Sequence, residues 1–133
     1  MALPYWLLVG PVLGFLILVH ELGHFLVAKR FGMAVTEFGF GFPPRLLGVR
    51  VGETLYSLNL IPLGGFVKLV GEEDPSDPRS FARHPPWKRA LVLLAGPLMN
   101  LAVPVGIFAG LFVVPQDTVV GAVTITGVVA NSP

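Results

Sequence analysis

No cysteine occurs in the 133-residue sequence, which excludes any disulfide framework and any thiolate metal site. Charge is scarce as well. Asp, Glu, Lys and Arg make up 13% of the residues, about half of the ~25% usual in globular domains. A small globule has a large surface for its volume and needs polar side chains to cover it, so a soluble domain is not expected. Intrinsic disorder, which requires low hydrophobicity, is excluded by an apolar content of 53%. The ends of the chain lack basic residues altogether: all nine Lys and Arg lie between Lys29 and Arg89. Six of the eight acids share that interval, Glu37, Glu53, Glu72, Glu73, Asp74 and Asp77, leaving only Glu21 and Asp117 in the flanks. Such segregation describes two apolar segments joined by a polar loop.

The first segment, residues 3–28, makes a helix of about 39 Å and the second, residues 90–114, one nearly as long, against a hydrocarbon core of ~30 Å. Both are expected to span a membrane. Pro11, Pro97 and Pro104 fall inside them and should kink or locally open the helices, which a bundle tolerates when neighbours satisfy the freed carbonyls. A secretory signal fits the N-terminus poorly: the apolar run is too long, no basic residue precedes it, and Lys29-Arg30 follows it. Lys29-Arg30 and Lys88-Arg89 stand at the two inner boundaries, where the positive-inside bias counts most. Loop 29–89 is therefore expected in the cytosol and both ends on the far side.

Within the loop the pattern turns to β. Residues 54–60 and 66–70 are β-rich runs around Ile61-Pro62-Leu63-Gly64-Gly65, which reads as the turn of a mostly apolar hairpin (about 54–70) beside the membrane. Phe38-Gly39-Phe40-Gly41-Phe42-Pro43-Pro44 is an uncharged aromatic–glycine stretch, read either as an ordinary loop or as a segment dipping into the bilayer. Residues 72–78 form an acidic, solvated connector. Strand-like runs within 119–133 resemble a β domain cut off near its beginning.

The chemistry is carried by His20-Glu21-Leu22-Gly23-His24. On a helix, positions i and i+4 share a face, so both imidazoles can reach one metal ion. Glu21 lies about 100° round from His20, where its carboxylate can take a proton from a metal-activated water. Zn2+ suits two neutral nitrogens and a hard third ligand, and lowers the pKa of its water to about 7. By chance the pattern arises about once in four hundred chains of this composition. Ionisable groups inside a span cost about 2.5–3.5 kcal/mol each on insertion scales, which favours a functional role. The structural alternative is hydrogen bonding between helices.

Four segments, Val19 to Gly32, Phe38-Gly-Phe-Gly41, Leu60 to Lys68 and Pro86 to Asn100, resemble in order and spacing the site-2 protease family of intramembrane zinc metalloproteases, in its bacterial PDZ-containing branch. The resemblance implies a membrane α-helical fold: two transmembrane helices, a membrane-associated β-hairpin in the connecting loop, and the start of a PDZ-like domain over 119–133. It implies that His20 and His24 bind zinc, that Glu21 is the catalytic base, and that the hairpin lies next to the active site.

The family's third zinc ligand, an Asp in a Leu-Asp-Gly motif, has no counterpart here. Asp117 falls about 40 Å from the cytosolic boundary, whereas His24 lies about 8 Å inside it. Glu72, Glu73 and His84 are on the correct side but read as solvated loop residues. The expectation is an N-terminal fragment, inactive alone. A transmembrane substrate must unwind before its carbonyls can be attacked, and its freed amides then need partners, which an exposed strand edge supplies by β-augmentation. The hairpin is accordingly read as a substrate clamp with Asn59, Gly64, Gly65 and Phe66 as contact positions, the alternative being a merely structural hairpin. Asn100 is read as packing the helices rather than donating to an oxyanion. The expected activity is cleavage of single-span membrane proteins in regulated intramembrane proteolysis, with substrates of the anti-sigma-factor kind. The partners are that substrate and the lipid bilayer, with no nucleic acid. The contrasting expectation is a non-catalytic membrane module that binds metal or a transmembrane partner.

Overall fold

The computed structural model describes Pro4 and residues 6–115; Asp117 and the expected start of a PDZ-like domain lie outside the described residues. Four elements follow one another: α1 (Trp6–Arg30), β1 (Val35–Val51), β2 (Thr54–Leu69) and α2 (Pro86–Val113). Both helices are long and apolar enough to cross a membrane. The first stops because Gly32 takes φ +76°. The Gly32 and Met33 amides then close back on the carbonyls of Lys29 and Ala28, both at 3.0 Å, the hydrogen-bond pair of a Schellman cap. The second begins at Pro86 rather than at the apolar boundary near residue 90. Proline is preset for the first helical turn and has no N–H to leave unpaired there, so Lys88 and Arg89 are helical.

The hairpin is present, but with other strands than expected. Residues 54–60 and 66–70 do not pair across a turn at 61–65. All but Val70 belong to one long strand, β2, whose antiparallel partner is β1. The turn is Gly52-Glu53, with Gly52 at φ +61°, the backbone that two-residue hairpin turns require. Phe38–Pro44, expected as a loop or a bilayer dip, is part of β1. Its aromatic–glycine alternation is a period of two, which a strand satisfies by sending alternate residues to opposite faces. The glycines are needed for close approach: a Cβ at Gly39 would strike the Phe66 ring, and one at Gly41 the Ile61 carbonyl.

Each strand also folds back on itself. Residues 47–51 pair with 54–58 near the tip, while Glu37 to Phe40 face Leu55 to Leu58 on one edge and Lys68 to Gly65 on the other. The two strands thus give four ribs in the order 45–51, 54–59, 35–40, 65–69, with 65–69 at an outer edge. The buried Asn59 amide donates to the Gly41 carbonyl at 3.0 Å, and Glu37 accepts from Ser57 at 2.7 Å and Arg45 at 2.9 Å. A small core of Ala28, Met33, Val35 and Val92 joins the end of α1, the start of rib 35–40 and the start of α2.

Candidate metal centre

One turn apart on α1, His20 and His24 turn their Nε2 atoms toward each other at 3.1 Å, with the rings edge-on at 79°. Two zinc–nitrogen bonds of ~2.0–2.1 Å meeting at a tetrahedral angle span about 3.3 Å, so the spacing matches the bite of one ion. His24 is oriented by α2: its Nδ1–H donates to the Val92 carbonyl at 2.6 Å, which in the neutral ring leaves the lone pair on Nε2. Beyond His20, the Asn100 amide lies 3.5 Å from Nδ1.

The space in front of the two nitrogens exists because residue 96 is glycine. A Cβ there would fall against Nε2 of both His24 and His20. α2 comes this close because α1 also carries a glycine at the crossing: a Cβ at Gly23 would lie 2.5 Å from the Ala95 carbonyl oxygen. Two lone-pair nitrogens at chelating distance, facing a pocket that a single methyl would fill, fit a small borderline-soft cation such as zinc.

Glu21 borders both cavities that flank the imidazoles. One, of about 220 Å³, is lined by Glu21, His24, Val67, Leu69, Glu72, Phe81, Val92 and Leu93. The other, of about 330 Å³, is lined by Leu13, Leu16, Ile17, His20, Glu21 and Asn100. Rib 65–69 passes directly over this carboxylate: a Cβ at Gly65 would stand 2.8 Å from Glu21 Cγ. Of the four hairpin positions expected at a substrate site, the structure therefore brings Gly65 to the centre. Gly64 packs against the Phe42 ring and Phe66 against Gly39. Asn59 is 5% exposed, with its amide given to the Gly41 carbonyl.

Among the described residues no cluster of three or more His, Cys, Asp or Glu could hold a metal. Glu72 reaches the first cavity, but its Oε1 accepts the Leu69 amide at 3.3 Å. His84 is turned away, its nitrogens facing the carbonyls of Ser80 at 2.8 Å and Phe31 at 3.3 Å. Gly96 and the Val92 carbonyl were not foreseen from sequence. The signal was the stripe Val92, Gly96, Asn100 at spacings of four, one face of α2. Within it stands a glycine that costs a helix about 1 kcal/mol against alanine.

Residues 10–131 match the family described as Peptidase family M50. A Clostridium perfringens protein provisionally named a zinc metalloprotease is 50% identical over 119 residues, 89% of this chain and 35% of its own length. Proteins with the same provisional name are 41% identical over 121 residues in Clostridium acetobutylicum (90% of this chain, 35% of that one) and 42% identical over 125 residues in Chlamydia trachomatis (84% and 20%). The chain thus spans about a third of the length of the Clostridium relatives and about a fifth of the Chlamydia one.

Proposed function

The chain belongs to peptidase family M50, a site-2 protease family, and from that premise we propose that it carries the metal-binding and base-bearing part of an intramembrane zinc metalloendopeptidase. The observation that supports this most directly is the pair of Nε2 atoms 3.1 Å apart with Glu21 beside them and Gly96 leaving their approach open. A bound zinc ion would supply Lewis acidity, activating water at neutral pH and polarising a carbonyl. His20 and His24 would hold it through Nε2, while the Val92 carbonyl keeps the His24 proton on Nδ1. The Glu21 carboxylate accepts the proton that water loses on attack and returns it to the leaving amine. Among the described residues no third ligand joins these two.

The substrate in this reading is a single-span membrane protein, of the anti-sigma-factor kind, cut in regulated proteolysis. Rib 65–69 supports it, since an edge beside the base can pair with an unwound segment and hold a carbonyl at the centre by main-chain hydrogen bonds. The hairpin is read as lying in the bilayer of the bacterial inner membrane. Its fold-back at Pro62-Leu63 shares an apolar groove with Gly10, Pro11 and Gly14 of α1, about 22 to 28 Å along the helix from Lys29.

The test pairs two measurements on the protein carrying the downstream sequence of its longer relatives. Glu21→Gln keeps the size of the side chain and removes the proton acceptor. Bound zinc should be unchanged, while cleavage of a single-span reporter should fall by at least about 10²-fold, the lower range for general-base catalysis. Full activity with Gln at position 21 would remove Glu21 from the role of base. A wild type that neither binds zinc nor cuts would leave the non-catalytic module standing.

A further inference from the structure

When both Nε2 atoms coordinate an ion, the remaining proton of each neutral imidazole is on Nδ1. For His24 that proton goes to the Val92 carbonyl. For His20 it points at Asn100, whose Nδ2 lies 3.5 Å from Nδ1 while Oδ1 is buried with no hydrogen-bond partner. Two donors would then face each other beside an acceptor that has none. A half-turn of the amide exchanges its ends within the same volume and resolves both faults, because Oδ1 then accepts the His20 Nδ1–H.

We propose that Asn100 is a positioning residue for the metal centre: its Oδ1 holds the proton of His20 on Nδ1 and so presents Nε2 to the ion, as the Val92 carbonyl does for His24. The inference rests on the zinc reading of His20 and His24. It assigns to α2 both groups that orient the ligands of α1, through Val92 and Asn100 with Gly96 between them, two turns along one face. It also gives a reason for a strongly polar side chain among the apolar residues of a membrane-spanning helix, where an unpaired amide is costly.

Helix packing and ligand orientation predict opposite orders for two substitutions. Leu at position 100 is close in shape to Asn and better suited to a membrane helix, so a packing role tolerates Asn100→Leu and suffers from Asn100→Asp. Ligand orientation needs an oxygen acceptor, which Asp keeps and Leu lacks. Zinc affinity of the protein carrying the downstream sequence of its longer relatives, in detergent micelles and titrated with zinc alone, should fall about tenfold to a hundredfold in Asn100→Leu, the usual range for such orienting partners. In Asn100→Asp it should stay within a few-fold of wild type. In the zinc-loaded protein the His20 Nδ1 proton should be visible by NMR and slow to exchange in the wild type and Asn100→Asp, and exchange-broadened in Asn100→Leu. The His24 proton stays sharp in all three. Equal zinc affinity in wild type and Asn100→Leu, or a loss confined to Asn100→Asp, overturns the proposal and leaves the zinc reading intact. No difference in zinc uptake between wild type and His20→Ala overturns the zinc reading itself, and this proposal with it.

Discussion

Gly96 faces His20 and His24 with no side chain, and the consequence of giving it one follows from the geometry alone. In Gly96→Ala the new methyl lands against both Nε2 atoms. Either α2 withdraws or the rings turn away from each other, and overpacking of this kind costs about 1–3 kcal/mol. Helix propensity pulls the other way, by about 1 kcal/mol in favour of alanine, so the fold should persist while the site does not. The expected result is native helical circular dichroism with zinc affinity reduced at least tenfold; unchanged affinity would mean that the ion lies elsewhere. Residues of this class explain what was legible in the sequence and what was not. His20, Glu21 and His24 lie within five consecutive positions on one helix, so helical periodicity alone brings them together. The roles of Gly96, Val92 and Asn100 depend on where α2 crosses α1. That crossing is fixed by the approach of Gly23 to Ala95, more than seventy positions apart, and no local pattern reports it. The partner of the Asn59 amide, the Gly41 carbonyl, is likewise brought to it by the pairing of β1 with β2 and not by any local pattern.

Among the elements, the helices were legible because uncharged runs of this length have few alternatives, whereas the strands were not. Ile61-Pro62-Leu63-Gly64-Gly65 and Gly52-Glu53 both carry turn chemistry, and the choice between them was made by pairing with residues 35–51, which a reading of the 54–70 segment in isolation does not include. The true turn is held by charge. Glu53 receives Lys29 Nζ on one oxygen and Arg79 Nη1 on the other, each at 2.7 Å, fastening the hairpin tip to the end of α1 and to the connector. Hydrogen bonds from Lys29 and then Arg79 hold the Glu53 carboxyl below its ordinary pKa. A carboxylate with a depressed pKa in the folded state stabilises that state above its unfolded pKa, and the contribution is lost as pH falls through the folded value. The clasp should therefore be intact at neutral pH and open only in acid below the usual glutamate range. Salt should weaken it, because all three groups are partly exposed. Hydrogen exchange at the Thr54 amide, followed from neutral to acid pH, should show a step of faster exchange that Glu53→Gln removes. A step that survives the substitution would place its origin in another group.

Across the whole molecule, the charges and the apolar surfaces divide along the helix axes. Lys29 and Arg30 close α1, and Lys88 and Arg89 open α2, with the Lys88 ammonium 5.5 Å from the rings of both Phe31 and Trp87. Aromatic and basic side chains together are the usual occupants of a membrane–water interface. Apolar side chains are also exposed on the sheet: Leu47 is 66% exposed, Val49 65% and Leu63 71%. Such exposure in water would be an aggregation liability, but in a bilayer it is ordinary contact with lipid. On the proposed reading the connector lies in the cytosol and the hairpin in the membrane, and the absence of cysteine makes that orientation measurable one thiol at a time. Ser76 lies exposed in the connector, hydrogen-bonded only to Asp74 among the described residues; Leu63 is equally open but stands beside Gly10 and Gly14 of α1. A Ser76→Cys protein should resist a membrane-impermeant thiol reagent in intact cells and react once the inner membrane is opened. A Leu63→Cys protein should resist it in both states, because its thiol faces hydrocarbon, and should react only after solubilisation and unfolding. Labelling of Ser76→Cys in intact cells would invert the topology. Labelling of Leu63→Cys in opened membranes would instead lift the hairpin out of the bilayer, and the edge beside Glu21 would then meet its substrate from the water side.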